Sequence, residues 1–593
     1  MRRLLVLALA ALALLGVFAP NAFAQAPTPT FKISGLIDQV GTYTSNMSAY
    51  DLSIARNSDK QFYGRTRGRF DFIGEVGKAK GVLGIEIDAY YGQTGFGDSN
   101  GQGSTTCVTN TGSSVVCGTQ GSGAESSFDL NTDIQSNLQI KWLYTEFEVP
   151  LIPVPTVARL GGQPFGAASN YKLATYANGD FGGVNIVSTI TPNVKLLFTY
   201  VGVEELLTGK KDIVATPLGV GAPGSNFPQS RGDDFAFILS AEVTPLKGLD
   251  IKPMYSYFYA NGATSASARV GRGGYTINIS TAPNGTAGGS PFAPKNVAGA
   301  DGVGTGIHEN RQTVGLDARW RIGGFSLDPT VMYQFGNRDS YNTVTPAYGT
   351  LCNSTGTAAL NCTKNSADIS AWLLDIRAGY QLGPLLLQAV FNYSTGNGAK
   401  DTLKNNINFF QPLDTDTSYM ADWGNAITAL GVDYYQILGP FGNNMGVAIG
   451  WDKYGRKQLG LKASYALTPS LTFGAGWTIL WTDRSVDQDA IAIAGGGLLP
   501  SFVDRKTGRG ARPEGDSSLI GNELNAAMTW RFAPGLALDL QSGYLFAGGA
   551  LAHRSVQLPY CEAGQTSGCA PPNHKDIQVN DVFITTARVR FTF

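Results

Sequence analysis

Val579-Asn580-Asp581-Val582-Phe583-Ile584-Thr585-Thr586-Ala587-Arg588-Val589-Arg590-Phe591-Thr592-Phe593 is the stretch on which the fold turns. In an extended chain Phe583, Ala587, Val589, Phe591 and Phe593 fall on one face. Asn580, Thr586, Arg588, Arg590 and Thr592 fall on the other. Successive side chains of a strand point to opposite faces. A strand whose faces differ this sharply has lipid on one side and water on the other. Most soluble chains let their last residues fray, whereas these residues carry the pattern of a structural element.

The opposite end is consistent with export. Met1-Arg2-Arg3 is a positive n-region, Leu4 to Ala19 an apolar h-region, and Ala22-Phe23-Ala24 a small-x-small site before Gln25. Residues 1–24 therefore read as a cleaved signal peptide. The run is short for a transmembrane anchor, the competing reading, and no Cys at the cleavage site suggests a lipoprotein. Residues 25–593 are expected to form a single domain. No later stretch reaches the roughly eighteen apolar residues of a helical span. Only helices and closed barrels satisfy every backbone group in lipid. An exported chain of alternating strands is then either a secreted β protein or a closed barrel.

The last strand resembles the C-terminal signature of bacterial outer-membrane β-barrels. In those proteins a final Phe and the alternating apolar positions before it, here Val589, Phe591 and Phe593, are read by the barrel-assembly machinery. The resemblance implies an outer-membrane location, with membrane lipid and that machinery as partners.

Composition fits a barrel, half of whose strand residues face water. The chain has 593 residues, 43% hydrophobic and 15% charged, with 75 Gly. Of the 44 basic residues, Arg2 and Arg3 lie in the signal segment, leaving 42 against 45 acidic residues. A balance so close to neutral gives no reason to expect nucleic acid. The six Cys form three local pairs, Cys107 with Cys117, Cys352 with Cys362, and Cys561 with Cys569, each in a polar, Gly-rich segment. Even number, close spacing and export argue for three loop disulfides. Metal binding is the alternative, but no Cys-x-x-Cys or His spacing supports it, and no cofactor is expected.

Strand candidates recur at 31–44, 61–76, 81–93, 134–149, 155–164, 181–191, 193–204, 232–244, 249–261, 310–322, 325–338, 368–382, 385–396, 455–467, 471–483, 520–532, 536–548 and 578–593. The fold class is all-β, a transmembrane antiparallel barrel of eighteen strands. Sixteen or twenty strands are the alternatives; Ala429 to Leu438 and Gly446 to Trp451 could form a further hairpin, giving twenty. We read the segment 427–453 as a structured loop. A soluble sandwich competes at the level of fold, but explains neither the terminal Phe nor the one-sided loops. Thr191-Pro192-Asn193, Thr244-Pro245-Leu246, Thr468-Pro469-Ser470 and Ala533-Pro534-Gly535 mark short turns, where Pro withdraws no ladder donor. The loops on the other side are long, about 94–133, 205–231, 262–309, 339–367, 397–454, 484–519 and 549–577. Short periplasmic turns and long outer loops are the asymmetry of outer-membrane barrels. Trp142, Tyr255, Trp320, Trp372, Trp477, Trp481, Trp530 and Tyr544 are candidates for the interfacial aromatic girdles.

A barrel of this width holds water, so function depends on the charges that face inward. Arg65, Arg67, Arg69 and Asp71 share one face of their strand, and Glu86 and Asp88 share one face of the next. Each Arg turned to lipid at mid-membrane would cost roughly 2–4 kcal/mol, so the Arg face belongs to the lumen, where the carboxylates can pair with it. Arg311, Asp317, Arg319 and Arg321 repeat the pattern, as do Asp375 with Arg377, Arg588 with Arg590, and Lys462 singly. Each of these could equally be a satisfied ion pair that merely keeps a strand wet. Three like charges two residues apart repel unless something pairs or uses them.

Residues 134–191 resemble the general bacterial porin family. Trp142 to Val149, a Pro-rich turn and Val157-Ala158-Arg159-Leu160-Gly161-Gly162-Gln163 precede Pro164 to Gly182. In that family a strand reading apolar-x-x-Gly-Arg-Gln leads into a loop that narrows the barrel; here Gly stands where Arg is common. The resemblance implies that Lys172 and Asp180 lie on the constricting loop, with Tyr171 and Tyr176 as walls, and that the barrels form homotrimers. It also implies a passive channel for small hydrophilic solutes, with a weak preference for anions along the Arg rows. The alternatives are a barrel enzyme of lipase or protease type and a surface adhesion barrel. His308, His553 and His574 fall in loops or at a strand entrance, without a catalytic motif.

Overall fold

The computed structural model describes residues 28–46, 60–91, 105–110, 114–119, 126–128, 138–165, 176–177, 179–205, 233–261, 306–342, 363–398, 406–413, 425–427, 454–486, 503–504, 509–510, 517–551, 553–557, 573–577 and 580–593. Eighteen strands form one closed antiparallel barrel. They are β1 Thr30–Ser45, β2 Lys60–Val76, β3 Ala79–Tyr91, β4 Gln139–Glu148, β5 Thr156–Pro164 and β6 Asp180–Thr191. Next come β7 Val194–Glu205, β8 Asp233–Leu246, β9 Leu249–Asn261, β10 Gly306–Ile322, β11 Phe325–Asn342 and β12 Thr363–Leu382. The circuit ends with β13 Leu385–Ser394, β14 Arg456–Thr468, β15 Leu471–Val486, β16 Ser517–Ala533, β17 Leu536–Ala547 and β18 Val582–Thr592.

Each strand pairs with the next, and β18 returns to β1 in a register running from Leu36 opposite Thr592 to Ser45 opposite Phe583. The seam is locked at its end, where Gly35 N–H donates to the Phe593 carbonyl at 3.0 Å and Phe593 N–H to the Gly35 carbonyl at 3.1 Å. Gly35 is required there: a Cβ would stand 2.4 Å from the Arg69 carbonyl and 3.1 Å from the Phe593 ring. Closure leaves no edge strand, which lipid would not tolerate.

The turns on one rim are tight. Pro192-Asn193, Pro469-Ser470 and Pro534-Gly535 sit where the sequence places them, with Gly535 at φ +71°, a conformation that favours Gly. The turn expected at Thr244-Pro245-Leu246 lies two residues further on, at Lys247-Gly248. Leu246 pairs with Leu249, and Pro245 sits in the irregular register after Val243, where its missing N–H breaks no bond.

The outward face is apolar and exposed over its whole circuit, including Ile140, Leu196, Leu316, Leu387, Leu461, Leu540 and Phe591. Seven of the eight candidate girdle residues lie on it. Trp142 does not: it turns inward, and its indole N–H donates to Asp71 at 2.9 Å. The cause is a register shift between Gly84 and Ile85, which inserts Lys141 between Ile140 and Trp142 and reverses the alternation. Elsewhere the girdle is dense. Phe235, Phe237, Tyr257 and Tyr259 pack together on β8 and β9 with centroids 5.2–6.5 Å apart, stacked along each strand and tilted across the pair. Tyr255 and Tyr257 donate outward to Gln312 and Asn310 of β10.

Of the cysteines, Cys107 and Cys117 are Cα partners in a small hairpin, 105–110 with 114–119. Cys352, Cys362, Cys561 and Cys569 lie outside the described residues, as do the signal segment and 428–453.

Candidate pore lining

The inner wall carries ion pairs strand by strand. Register sets Arg67 opposite Asp88 and Arg69 opposite Glu86. Asp88 accepts from Arg65 Nε and a terminal guanidinium nitrogen at 3.0 and 2.8 Å, and from Arg67 at 2.7 Å on each of its oxygens. Glu86 pairs with Arg69, with Arg67 at 3.6 Å and with Lys141 at 3.8 Å. Arg65 and Arg67 are buried. Three guanidiniums two residues apart thus share two carboxylates of the neighbouring strand, which offsets their repulsion through charge-assisted bonds.

The pattern continues on both sides. Glu146 of β4 accepts from Arg159 and Lys80, each at 2.6 Å. At the seam Arg590 binds Asp38 through two nitrogens at 2.7 and 2.8 Å, and Arg588 binds Asp539 at 3.0 and 2.6 Å. Arg377 forks onto Asp375 of its own strand at 3.0 and 2.8 Å. Arg321 forks onto Asp328, and Lys252 meets Glu242 at 3.2 Å. Asp317 is buried and accepts from Thr330 at 2.7 Å, while Arg319 shares its face opposite Asp250. Lys462 is also inward, beside Gln388 and Gly476.

Asp180 opens β6 opposite Pro164 instead of standing on the loop, and Lys141 binds it at 2.9 Å. Lys172 and Tyr171 lie outside the described residues. The foot of that loop is closed by Phe165 N–H donating to the Gly179 carbonyl at 3.0 Å, and by the stacked rings of Phe165 and Phe181. Gln163 sits wholly buried beneath, donating to three backbone carbonyls at 3.1–3.3 Å.

The wall from β7 to β12 differs. Val201, Ala236, Ile238, Met254, Phe258, Ala260, Met332, Ala371 and Leu373 make an apolar lumenal face. Two segments dock on it. One is Tyr176-Ala177, from the loop between β5 and β6. The other is Asn406–Leu413, from the loop between β13 and β14, whose first residues pair in parallel with Asp368 and Ile369 of β12. Phe410 and Leu413 complete the apolar cluster with Tyr176. Further on, Ala426 N–H donates to Asn525 and Ile427 N–H to Glu523, both at 2.9 Å on β16, and Thr478 of β15 donates to Asn425 at 3.0 Å. One loop is therefore tied to two sectors of the wall, so the interior is narrowed by main chain as well as side chains.

Arg311 of β10 stands within this apolar sector. It pairs with Glu309 at 3.1 Å, donates to Gln411 at 2.9 Å, and lies 4.5 Å above the Phe258 ring. The partners Asp38, Asp539, Glu146 and Lys141, and the anchors Gln334, Gln411, Glu523 and Asn525, were not picked out from the sequence. Alternation places Asp38, Asp539, Gln334, Glu523 and Asn525 on inward faces, but only register says what each meets; Lys141 and Glu146 share the lumen only because of the bulge in β4, and Gln411 lies on no strand. Among the described residues no group of His, Cys, Asp and Glu could hold a metal ion.

No protein-family model and no curated protein sequence matches the chain. Among solved structures it is similar to the outer membrane protein OprD from Pseudomonas aeruginosa, at 10% identity over 96% of each chain with a TM-score of 0.40. A BenF-like porin from Pseudomonas fluorescens Pf-5 is 8% identical over 95% of this chain and 98% of that one, with a TM-score of 0.42. OccAB4 of Acinetobacter baumannii is 9% identical over 95% and 98%, with a TM-score of 0.40.

Proposed function

We propose that the chain is a passive diffusion channel of the bacterial outer membrane, a porin for small hydrophilic solutes. The observation that carries this reading is a closed barrel of eighteen strands with an apolar outside and an ion-paired inside. A barrel of that width encloses more space than wall side chains fill, and water conducts through what the docked segments leave open. Passage requires no chemistry, only weak contacts in series.

The lining comprises the Arg65-Arg67-Arg69 row with Asp71, Glu86 and Asp88, the Arg311 to Arg321 face with Asp317 and Arg319, and Asp375 with Arg377. Asp180 at the foot of the first loop, and Arg588 and Arg590 at the seam, complete it. Lys172 joins them if its loop follows Tyr176 inward. Because the described guanidiniums are largely matched by carboxylates, the field across the lumen is local, and anion preference is weak. The three cysteine pairs would tie outer loops as disulfides, Val589, Phe591 and Phe593 would present the assembly signal, residues 1–24 would be removed on export, and the barrels would associate as trimers.

Purified protein added to a planar bilayer is expected to give discrete, steady, ohmic conductance steps. Repeated insertions that leave the bilayer silent would sink the channel reading. A liposome-swelling panel of sugars, amino acids and carboxylates then identifies the solutes.

A further inference from the structure

The two docked segments meet each other as well as the wall. Gln334 of β11 faces the lumen and is fully buried. Its carbonyl oxygen accepts the Gln411 N–H at 2.8 Å, and its amide nitrogen donates to the Gln411 carbonyl at 2.7 Å. This reciprocal pair fixes the amide's orientation, since the reversed amide would oppose donor to donor and acceptor to acceptor. The same nitrogen donates to Thr313 at 3.1 Å, and Arg311 reaches the Gln411 side chain. Two residues on, Leu413 N–H donates to the Tyr176 carbonyl at 2.8 Å. The Tyr176 hydroxyl in turn donates to Ser256 of β9 at 2.8 Å, and its ring meets Phe410 edge-on at 6.5 Å.

The Gln334 side chain thus holds the backbone of one segment, which Asn397 also bonds at Asn406 and Asn408 near its start, and that backbone holds the other. Gln334 adds no charge and no aromatic surface. Its role is to replace, for a stretch of chain crossing from wall to lumen, the ladder bonds that the stretch has lost. We propose that Gln334 is the positioning residue of the constriction, clamping both in-folded segments into one body so that a single docking event sets the size limit of the pore. The inference rests on the channel reading. It assigns pore size to an amide clamp on β11, with Tyr176 and Ser256 as its second foot.

Single-channel conductance and exclusion of neutral polymers of graded size test it on the full-length protein in bilayers. Q334L keeps the volume and removes both bonds; it is expected to raise conductance and shift the exclusion limit upward. Y176F and S256A each break the second foot and are expected to shift both readouts in the same direction. The double variant Q334L/Y176F should show no more than the larger single effect, because parts of one body are not additive. A residue that only supports folding would lower the unfolding temperature without moving the exclusion limit. Parental conductance and exclusion in an assembled Q334L barrel would overturn the proposal, as would independent, multiplying effects in the double variant. Q334E retains the acceptor and loses the donor; it takes the place of Q334L should that variant not assemble, and parental behaviour in it is equally decisive. A silent parent protein would instead refute the channel reading itself.

Discussion

Replacing Arg65, Arg67 and Arg69 together by Gln is expected to turn the pore toward cations and to weaken the barrel. Asp88 takes bonds from two of these guanidiniums, and Glu86 pairs with all but Arg65. Their removal leaves two carboxylates of the inner wall without the cations that hold them, and Lys141 stays 3.8 Å from Glu86. Breaking a buried pair from one side costs roughly 3–5 kcal/mol, because the surviving charge stays desolvated. The reversal potential in a salt gradient reports the first effect, and thermal unfolding in detergent the second. Adding E86Q and D88N to the triple variant should recover most of the stability and part of the reversal potential, since it removes two carboxylates against three guanidiniums and leaves the wall one charge more acidic than the parent. An unchanged reversal potential in the triple variant would show that solutes pass elsewhere in the lumen.

The opposite shift is expected from the seam. Asp38 is buried on β1, with Arg67 as its Cα partner on β2 and Arg590 as its partner on β18. Arg590 forks onto its carboxylate, so one side chain ties the first strand to the last. D38N removes the anion without changing size. It takes the forked bonds from Arg590, whose side chain is 27% exposed, at a cost of roughly 1.5–3 kcal/mol for the lost charge-assisted bonds, and should move the reversal potential toward anions. Loss of native barrel mobility in gel electrophoresis should begin at a lower temperature, because the joint where the circuit closes is the one weakened. A D38N barrel that resists heat like its parent would mean that the backbone ladder and the Gly35–Phe593 bonds hold the seam unaided.

Much of this architecture is legible from period alone. Strand number, the side of the short turns and the inward face of Arg65, Arg67 and Arg69 all follow from alternation and from the cost of turning charge toward lipid. Partnerships do not follow, because a face is a local property and a partner depends on register. Asp38 and Arg590 are separated by nearly the whole chain and meet only on closure. Trp142 is misread from period because an inserted Lys141 reverses parity within β4. The docked stretch Asn406–Leu413 has no period to detect. Its Asn, Gln and Pro read as an outer loop, and only an inward amide on a distant strand gives it a place. The anion preference expected from the Arg rows is tempered for the same reason, since the carboxylates that answer them sit on other strands.

The pairing of the inner wall also bears on how the pore responds to its electrolyte. A pore lined by isolated cations gathers mobile counterions, and its conductance levels off as bulk salt is diluted. A wall of opposed charges 2.6–2.8 Å apart is a surface of dipoles, whose potential decays well within the roughly 10 Å screening length of 0.1 M salt. Such a wall recruits few carriers of its own. The conductance of this barrel is therefore expected to follow bulk conductivity in near proportion down to dilute solution, and a plateau there would reveal a net fixed charge in the lumen.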